Sequence, residues 1–379
     1  MIGGTCDPRF EPVRAAFYEN FTQRGETGAA ICVTIGGRVV ADLWGGWTSA
    51  AKVTRWQPDT LLNLFSVGKG WLALLAAQLT GTGLLDTDAP VARYWREFAV
   101  EGKQAVTLRQ LLSHQAGVPA LRRKMLPNAM LDWHAMTGAI AAERPWWPPG
   151  TAHGYHVNTF GFAVGEVLRR VSGRSVGALL REQVAGPLGA DVHIGLPRSE
   201  HGRVAEFSWP GQLRQVEEPA GRSDDELMGY NAYFNPAGLS GSGVVNTARW
   251  RSAEVPSANG HGSARGIARV YAALAARGVA DGVRVIDPGA LADASSEQVY
   301  GPDLVLHRPS RFGLGFQLTQ PERPMGHGQS GFGHFGAGGS LGCCDPEAGV
   351  AIGYATGQMG PRWQNPRNRA LLDAIYACL

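Results

Sequence analysis

The sequence predicts an α/β fold in which both ends of the chain build one domain and the middle builds a second, inserted domain. Helix and strand patterns alternate over the first 88 residues, and strand patterns return, with helices, in the last third. The stretch between them shows the patterns of helices and loops. We therefore predict an α/β domain of residues 1–88 and 255–379, and a mainly helical domain of residues 89–254 that forms the other wall of a cleft.

The elements predicted before the insertion follow from the spacing of apolar residues. Apolar residues four apart share one face of a helix, a glycine pair between apolar runs favours a hairpin, and a long apolar run without proline favours a buried helix. These patterns predict a helix at residues 8–25, two strands around Gly36-Gly37 in residues 29–41, and a buried helix at residues 69–81.

The elements predicted after residue 88 follow from capping residues and periodicity. Thr107 is a suitable N-cap for a short helix, and Gly173 is a suitable residue to end a longer one. Residues 200–250 are polar and glycine-rich, which predicts long loops that wall or cover a site. In all, we predict helices at residues 107–113, 160–172, 264–276 and 368–378, and strands at residues 312–318, 339–344 and 350–355.

Composition argues against several classes of function. The chain has 379 residues and a formal net charge of only +3, so we expect neither nucleic acid nor a membrane as partner. The sequence contains no pattern of a secretion signal and no apolar run long enough to span a bilayer. The five cysteines include no C-x-x-C pair, so we expect no disulfide framework, no metal and no cofactor. We predict a cytoplasmic protein.

The candidate nucleophile is a serine at the start of the predicted buried helix. Ser66-Val67-Gly68-Lys69 is an S-x-x-K motif, and residues three apart share a helical face, so the Lys69 amine can reach the Ser66 hydroxyl. A hydroxyl becomes a good nucleophile when a neighbouring base takes its proton, and a helix start favours a developing negative charge. An isolated S-x-x-K is more often a helix cap followed by a surface lysine.

Two further motifs follow in an order typical of one superfamily. Tyr155 lies in a turn before a helix, and His334-Phe335-Gly336 lies in a glycine-rich stretch before strands. With S-x-x-K, this order resembles the penicilloyl-serine superfamily, whose signatures are S-x-x-K, a tyrosine motif, and K-T-G or H-x-G. The sequence is most similar to its class C β-lactamase and family VIII carboxylesterase branch, over essentially the whole chain. This resemblance implies a β-lactamase/transpeptidase-like fold, an antiparallel sheet flanked by helices with an all-helical inserted domain.

The resemblance also implies a mechanism. Ser66 would be acylated, Lys69 and Tyr155 would together remove its proton, and Tyr155 would protonate the leaving group. A neighbouring cation can lower the pKa of a tyrosine toward the working range, so which of the two is the formal base stays open. The backbone N–H groups of Ser66 and Ala337 would form the oxyanion hole.

Further residues are expected to contact the substrate. The resemblance implies that His334, Gly336 and Ala337 face the cleft. His156 directly follows the tyrosine, and Trp147 precedes it closely. We expect His156 to line the cleft and Trp147 to shape an apolar acyl pocket, although a loop position without chemistry is an equal alternative for the histidine.

One departure from the superfamily pattern favours esters over amides. The asparagine that relatives carry two residues after the tyrosine is Val157 here, with Asn158 one position later. In members that act on β-lactams and peptides, this asparagine contacts the substrate amide. We therefore expect a small ester or similar acyl donor as the substrate.

A second serine motif competes with the first. Residues 338–342 (GGSLG) fit the G-x-S-x-G nucleophile motif of α/β-hydrolases, with Ser340 at its centre. That fold places its catalytic histidine after the serine, but all ten histidines lie at or before His334. We therefore expect Ser340 to be structural.

Three functions besides ester hydrolysis stay open. The chain is a candidate acyltransferase or amide synthase with an amine or alcohol acceptor, a β-lactamase or D-amino-acid peptidase, or a catalytically silent binding protein of the same fold. The presence of Ser66, Lys69 and Tyr155 together argues against the silent protein.

Overall fold

The computed structural model describes residues 2–210, 223–237, 244–361 and 363–379. Its strands are β1 (Ile2–Cys6), β2 (Gly28–Ile35), β3 (Arg38–Gly46), β4 (Leu62–Asn63), β5 (Val192–His193), β6 (His261–Gly262), β7 (Val279–Ala280), β8 (Val283–Arg284), β9 (Val299–Asp303), β10 (Arg308–Phe312), β11 (Gln317–Leu318), β12 (Phe332–Phe335), β13 (Leu341–Asp345) and β14 (Val350–Thr356). Its α-helices are α1 (Glu11–Thr22), α2 (Val67–Gly81), α3 (Leu108–Leu112), α4 (Trp133–Ala142), α5 (Thr159–Ser172), α6 (Val176–Leu180), α7 (Gly186–Leu188), α8 (Asp224–Phe234), α9 (Ala248–Ser252), α10 (Ala264–Ala275), α11 (Pro288–Ser295) and α12 (Pro366–Tyr376).

A nine-stranded sheet joins the two ends of the chain. Its strand order is β1-β3-β2-β14-β13-β12-β11-β10-β9, and all of its neighbouring strands pair antiparallel. The N-terminal and C-terminal strands meet where β2 pairs with β14, from Ala29 opposite Thr356 to Ile35 opposite Val350. The predicted α/β fold with an antiparallel sheet is therefore confirmed.

Helices cover both faces of this sheet, which explains why its central strands are mostly apolar on both faces. In β2, Ala29, Ile31 and Val33 pack into the apolar cluster that includes α1 and α12. The alternate residues Ala30 and Cys32 belong to the larger cluster that includes α2 and α10. Because successive side chains of a strand point to opposite faces, a strand between two helical layers needs an apolar residue at every position.

The helix α2 is buried along most of its length. Every residue from Val67 to Ala77 is buried, and the helix packs against α5, α11 and β12. A helix surrounded by protein on all sides is apolar all round, which is the pattern that predicted it. Lys69 is the exception, a charged residue type in this apolar setting.

Local capping signals predicted two other helices correctly. The Thr107 hydroxyl accepts a hydrogen bond from the Gln110 backbone N–H, and the Gln110 side chain accepts one in return from the Thr107 N–H, so a capping box starts α3. Gly173 ends α5 in the left-handed conformation, with φ of 68°. The predicted helices at α1, α10 and α12 are also confirmed, within a few residues at each end.

The prediction of one strand over residues 312–318 was wrong. Phe312 ends β10, the chain turns, and Gln317 begins β11. Gly315 has a φ of 88°, and the Gly313 N–H donates to the Phe316 carbonyl oxygen at 2.9 Å, which closes the turn. An apolar run alone does not reveal a turn that glycine makes possible.

Two other predictions need correction at their edges. The strand expected from residue 339 begins at Leu341, because Gly338 and Gly339 have φ of 89° and 116° and form a turn. Residues 200–250 contain the helix α8 and the start of α9 in addition to loops. The predicted lid in this stretch lies partly outside the described residues, because it includes residues 211–222 and 238–243.

Residues of the two predicted domains pack together in one apolar core. The larger apolar cluster combines Leu72 and Phe316 from the predicted α/β domain with Leu111 and Val164 from the predicted helical one. The boundaries at residues 88 and 255 stay a prediction. Among the described residues, no helix combines the length and the apolar character that crossing a bilayer requires.

Candidate active site

Ser66 lies in a strained turn between β4 and α2. Phe65, directly before it, has a φ of 51°, a left-handed conformation that is unfavourable for a bulky residue. The Leu64 N–H holds the turn by donating to the Gly260 carbonyl oxygen at 2.7 Å. The Ser66 side chain makes no capping hydrogen bond to its helix, so its hydroxyl is free to interact with Lys69.

Lys69 is a buried lysine that contacts the candidate nucleophile. Its Nζ lies 3.0 Å from Oγ of Ser66 and donates to the carbonyl oxygen of Ser257 at 2.8 Å. The side chain has no exposed surface, which excludes the alternative of a surface lysine. Burial lowers the pKa of Lys69 well below its ordinary value. A neutral amine in this position can accept the proton of Ser66.

Tyr155 lies beside this pair within a set of aromatic rings. Nζ of Lys69 is 4.9 Å from the centre of the tyrosine ring. The ring stacks on Phe312 with centres 5.9 Å apart and meets Trp363 edge-on at 4.9 Å. Among the described residues, the phenol oxygen has no regular hydrogen-bond partner. The phenol is therefore held in place by its surroundings, with its oxygen available for chemistry.

The pKa of Tyr155 shifts in the direction opposite to our expectation. Burial raises the pKa of Tyr155 well above its ordinary value, and the nearby Ser66 hydroxyl offsets only part of this effect. We expected a neighbouring cation to lower it. Burial also lowers the pKa of Lys69, which favours the neutral amine. Lys69 therefore does not supply the positive charge that would lower the pKa of Tyr155.

The turn after β12 lies directly against the segment that carries Ser66. A Cβ atom on Gly336 would lie 2.2 Å from the Leu64 carbonyl oxygen and 3.4 Å from Cγ2 of Val67. Only glycine allows so close an approach. Ala337 follows immediately and is partly exposed. The turn that carries Ala337 therefore lies against the segment that carries Ser66, and the oxyanion hole formed by their N–H groups stays a prediction.

His334, the third motif residue, is fully buried. Its Nδ1 hydrogen-bonds the Phe335 carbonyl oxygen at 2.7 Å, while Nε2 has no partner among the described residues. Burial lowers the pKa of His334 well below its ordinary value. Its ring centre is 6.0 Å from that of Tyr155. His334 is therefore a neutral ring that borders Lys69 and Tyr155.

Two residues expected to bind substrate have structural contacts instead. Nδ1 of His156 hydrogen-bonds the Gly154 carbonyl oxygen at 2.7 Å, and its Nε2 accepts from the Val118 N–H at 3.1 Å. Burial lowers the pKa of His156 to about 4. Trp147 lies under the tyrosine loop, where a Cβ atom on Gly154 would be 2.8 Å from its ring. With both ring nitrogens of His156 engaged and Trp147 covered, the geometry does not support a substrate contact by either.

Val157 and Asn158 connect the tyrosine loop to α8. Val157 packs against the apolar cluster that contains Met228 and Ala232. Nδ2 of Asn158 donates to the carbonyl oxygen of Ala232 at 2.9 Å, and the side chain is buried. Asn158 therefore does not replace the displaced asparagine as a partner for a substrate amide.

Several residues of the site were not found by sequence reasoning. Ser257 accepts from Lys69 through its carbonyl oxygen and from the Gly161 N–H through its hydroxyl, at 2.6 Å. Trp363 contacts the tyrosine ring, and Asp303 accepts a hydrogen bond from the Tyr155 N–H at 3.0 Å. None of these belongs to a motif, because each reaches the site only through tertiary folding.

The sequence predicts that Ser340 is not the nucleophile and that the protein binds no metal ion. Ser340 is fully buried, and its hydroxyl accepts from the Thr356 N–H at 3.3 Å, so the second serine motif is structural. In the described ranges, no group of three or more His, Cys, Asp or Glu side chains is arranged to hold a metal ion.

Comparison with known proteins identifies the relatives of this chain. A family model described as Beta-lactamase matches residues 13–377. The chain is 35% identical over 358 residues to the esterase/beta-lactamase LipL of Mycobacterium tuberculosis, covering 93% of this chain and 82% of LipL. It is similar to the crystal structure of a family VIII carboxylesterase, with 41% identity, a TM-score of 0.92 and complete coverage of both chains. The same values apply to a penicillin-binding protein homologue from Caulobacter crescentus.

Proposed function

The chain belongs to the beta-lactamase family, and from this premise we propose that it is a serine ester hydrolase that forms an acyl-enzyme on Ser66. The observation that carries the proposal is the buried 3.0 Å contact between Nζ of Lys69 and Oγ of Ser66. Ester hydrolysis is supported by two similar proteins, the esterase/beta-lactamase LipL and the family VIII carboxylesterase.

Lys69 serves as the base in the acylation step. Burial favours its neutral form, and one N–H of the amine is directed at the Ser257 carbonyl oxygen. The amine can therefore accept the hydroxyl proton while Oγ of Ser66 forms a bond to the ester carbonyl carbon. The carbonyl oxygen, now negative, is stabilised by the N–H groups of Ser66 and Ala337.

Tyr155 serves as the acid that releases the alcohol. Its raised pKa keeps the phenol protonated at neutral pH. When the bond from the carbonyl carbon to the leaving oxygen breaks, the phenol gives its proton to that oxygen, and the tyrosinate then recovers a proton from the Lys69 ammonium. This order balances the protons and returns Lys69 to its neutral form, ready for deacylation.

Water is the proposed acceptor of the acyl group. In the second step, neutral Lys69 accepts a proton from water as the water oxygen attacks the acyl carbon. The bond from that carbon to Oγ of Ser66 then breaks, and the Lys69 ammonium gives the proton to Oγ, which restores the Ser66 hydroxyl and the neutral amine. An amine or alcohol acceptor would instead need a site that holds it close and excludes water. A saturable dependence of product formation on acceptor concentration would identify a transferase, whereas unsaturated acceleration supports the hydrolase.

The proposed substrates are small esters rather than amides. Val157 and Asn158 are both used to pack α8 against the tyrosine loop, so neither offers an amide side chain to a substrate. An ester lacks the N–H that such a side chain would recognise, and it has a better leaving group. Esters should therefore lose less from this arrangement than amides do.

We propose that the protein is cytoplasmic. All five cysteines are free thiols, which is consistent with a reducing compartment. Recovery of the protein mainly from an oxidising compartment after cell fractionation would contradict this assignment.

The nucleophile is tested by replacing each of the two motif serines. Ser66→Ala should abolish hydrolysis of p-nitrophenyl acetate, with a loss on the order of 10⁶, while thermal unfolding is unchanged. Ser340→Ala is the matched control, because Ser340 is also buried but its hydroxyl accepts a hydrogen bond from the Thr356 N–H. A fluorophosphonate adduct should map to Ser66 by peptide mass spectrometry. Retained activity of the Ser66 variant, or an adduct on Ser340, would overturn the proposal.

A further inference from the structure

We propose that Asp303, a buried carboxylate at the end of β9, is a positioning residue that holds Tyr155 in place relative to Ser66 and Lys69. The inference rests on the proposed function, because it assigns to Asp303 an effect that passes through the phenol of Tyr155. Asp303 belongs to no motif, and it lies 148 residues from the tyrosine in sequence.

Asp303 accepts hydrogen bonds from the tyrosine loop, from the turn that follows β9 and from β10. Oδ1 accepts from the Tyr155 N–H at 3.0 Å, and from the N–H groups of Val305 and Leu306, both at 2.9 Å. Oδ2 accepts from the Ser310 hydroxyl at 2.7 Å and shares the Tyr155 N–H at 3.2 Å. The side chain is only 2% exposed. A buried carboxylate with this many donors is held in one orientation.

The N–H groups on either side of Tyr155 are held by a second residue. The Gly154 N–H donates to the His114 carbonyl oxygen at 3.1 Å, and the His156 N–H donates to Nδ1 of His114, also at 3.1 Å. Three consecutive N–H groups are therefore bound, the outer two by the helical part of the chain and the central one by the sheet. Asp303 is thus a direct link between the tyrosine backbone and the sheet.

This link matters because the catalytic groups come from separate segments. Ser66 and Lys69 are fixed to each other by α2, whereas Tyr155 lies in an extended loop before α5. The same sheet carries β12, and the turn after β12 packs against the Ser66 segment. Asp303 therefore connects the phenol to the part of the molecule that locates the nucleophile. Misplacement of a catalytic group by about 1 Å can cost a factor on the order of 10² in rate.

A positioning role predicts a specific pattern of losses. Asp303→Ala should lower kcat by a factor on the order of 10 to 10², with little change in KM. Without the carboxylate, the tyrosine loop moves and displaces the phenol, whereas the position of the bound substrate does not change. Asp303→Asn should keep most of the activity. Its amide oxygen can accept the three N–H groups, and its NH₂ can donate to Ser310, whose hydroxyl can then turn to Nε2 of His153, 2.9 Å away.

The decisive experiment is a double-mutant cycle with Tyr155→Phe. If Asp303 acts through the phenol, Asp303→Ala should cost almost nothing further in enzyme that already carries Tyr155→Phe. The readout is kcat/KM for p-nitrophenyl acetate, corrected with Ser66→Ala enzyme for unspecific hydrolysis. A merely structural carboxylate would cost the same factor in both backgrounds, which would overturn the inference. An Asp303→Asn loss as large as that of Asp303→Ala would overturn it too, since charge rather than placement would then matter.

Asp345 provides the matched control. It ends β13 as Asp303 ends β9, is also 2% exposed, and accepts from the Ser330 hydroxyl at 2.5 Å and the Tyr376 hydroxyl at 2.8 Å. Asp345→Ala should lower thermal stability as Asp303→Ala does, but leave kcat nearly unchanged. If Asp303→Ala does not fold, Asp303→Ser replaces it in the same cycle, and equal losses in both backgrounds again overturn the inference.

The proposed function and this inference fail in distinguishable ways. Full activity of Tyr155→Phe alone would remove the tyrosine from the mechanism and overturn both. Low activity of Tyr155→Phe together with an additive Asp303→Ala loss would overturn the positioning role and leave the proposed function standing.

Discussion

Replacing Gly336 with alanine would test whether the turn after β12 forms one side of the oxyanion hole. The backbone of Gly336 is extended, with φ of −105° and ψ of 159°, so alanine itself is compatible with this conformation. The substitution therefore acts only through the steric contact that the added methyl group makes. The new Cβ atom would lie 2.2 Å from the carbonyl oxygen of Leu64, two residues before the nucleophile.

The size of the effect follows from that distance. Cβ atoms do not approach other heavy atoms within 3.0 Å, so the turn and the Ser66 segment must separate by ~0.8 Å. This displacement moves the Ala337 N–H away from the oxygen that it is proposed to stabilise. Loss of one oxyanion-hole donor lowers kcat by about 10² to 10³, or ~2.7–4 kcal/mol. We expect Gly336→Ala to fall near the lower end, because the donor is displaced rather than removed.

The assay is steady-state hydrolysis of p-nitrophenyl acetate, together with the rate of labelling by a fluorophosphonate. Both should slow by a similar factor, with KM little changed, because the oxyanion forms only in the transition state. Gly177→Ala in α6 is the control, since its Cβ atom would meet the Ile194 carbonyl oxygen at 2.1 Å. That variant should lose stability without a comparable loss of kcat.

One result would refute this reasoning. If Gly336→Ala folds with unchanged kcat, the Ala337 N–H does not contribute to the oxyanion hole, and the contact with Leu64 relaxes without reaching Ser66. A loss of kcat in Gly177→Ala of the same size would show instead that any backbone clash impairs the enzyme.

The remaining predictions concern proton transfer and substrate. Lys69→Ala and Tyr155→Phe should each remove most activity, and the double variant should be little worse than the poorer single one, because the two groups form one proton-transfer unit; losses that multiply would contradict this. Activity should fall as the pH drops through the depressed pKa of Lys69, since the base must be neutral, and it should persist at alkaline pH because the raised pKa of Tyr155 keeps the acid protonated. A pH–rate profile whose acid limb lies at the ordinary pKa of lysine would refute that assignment. Penicillins and nitrocefin should be turned over about tenfold more slowly than short-chain activated esters, because one hydrogen bond to the amide is missing, and such a bond is worth up to ~1.5 kcal/mol at ~1.4 kcal/mol per factor of ten. Nitrocefin turnover as fast as that of p-nitrophenyl acetate would show that another residue supplies the contact.

Local patterns in the sequence predicted much of the fold. The start of α3 at Thr107 and the end of α5 at Gly173 depend on neighbours within a few residues. The unbroken apolar run of α2 indicates by itself that the helix is buried on all sides. The i, i+3 spacing of Ser66 and Lys69 likewise places the two side chains together whatever surrounds their helix. Tyr155 was found only because its motif occurs in a known order with the other two. The strand prediction over residues 312–318 failed because the turn at Gly315 depends on backbone conformation and not on apolar character.

The tertiary structure decided what these residues can do. The protonation of Lys69 and of Tyr155 depends on burial by segments far away in the chain, so the sequence left the choice of base open. The burial of Lys69 supports our proposal that the lysine is the base. His156 looked available next to the tyrosine, yet backbone groups occupy both of its nitrogens. Asp303 reaches the Tyr155 N–H across 148 residues and carries no sequence signal at all. Spacing fixes which groups share a helical face, whereas desolvation and long-range hydrogen bonds arise only when distant segments pack together.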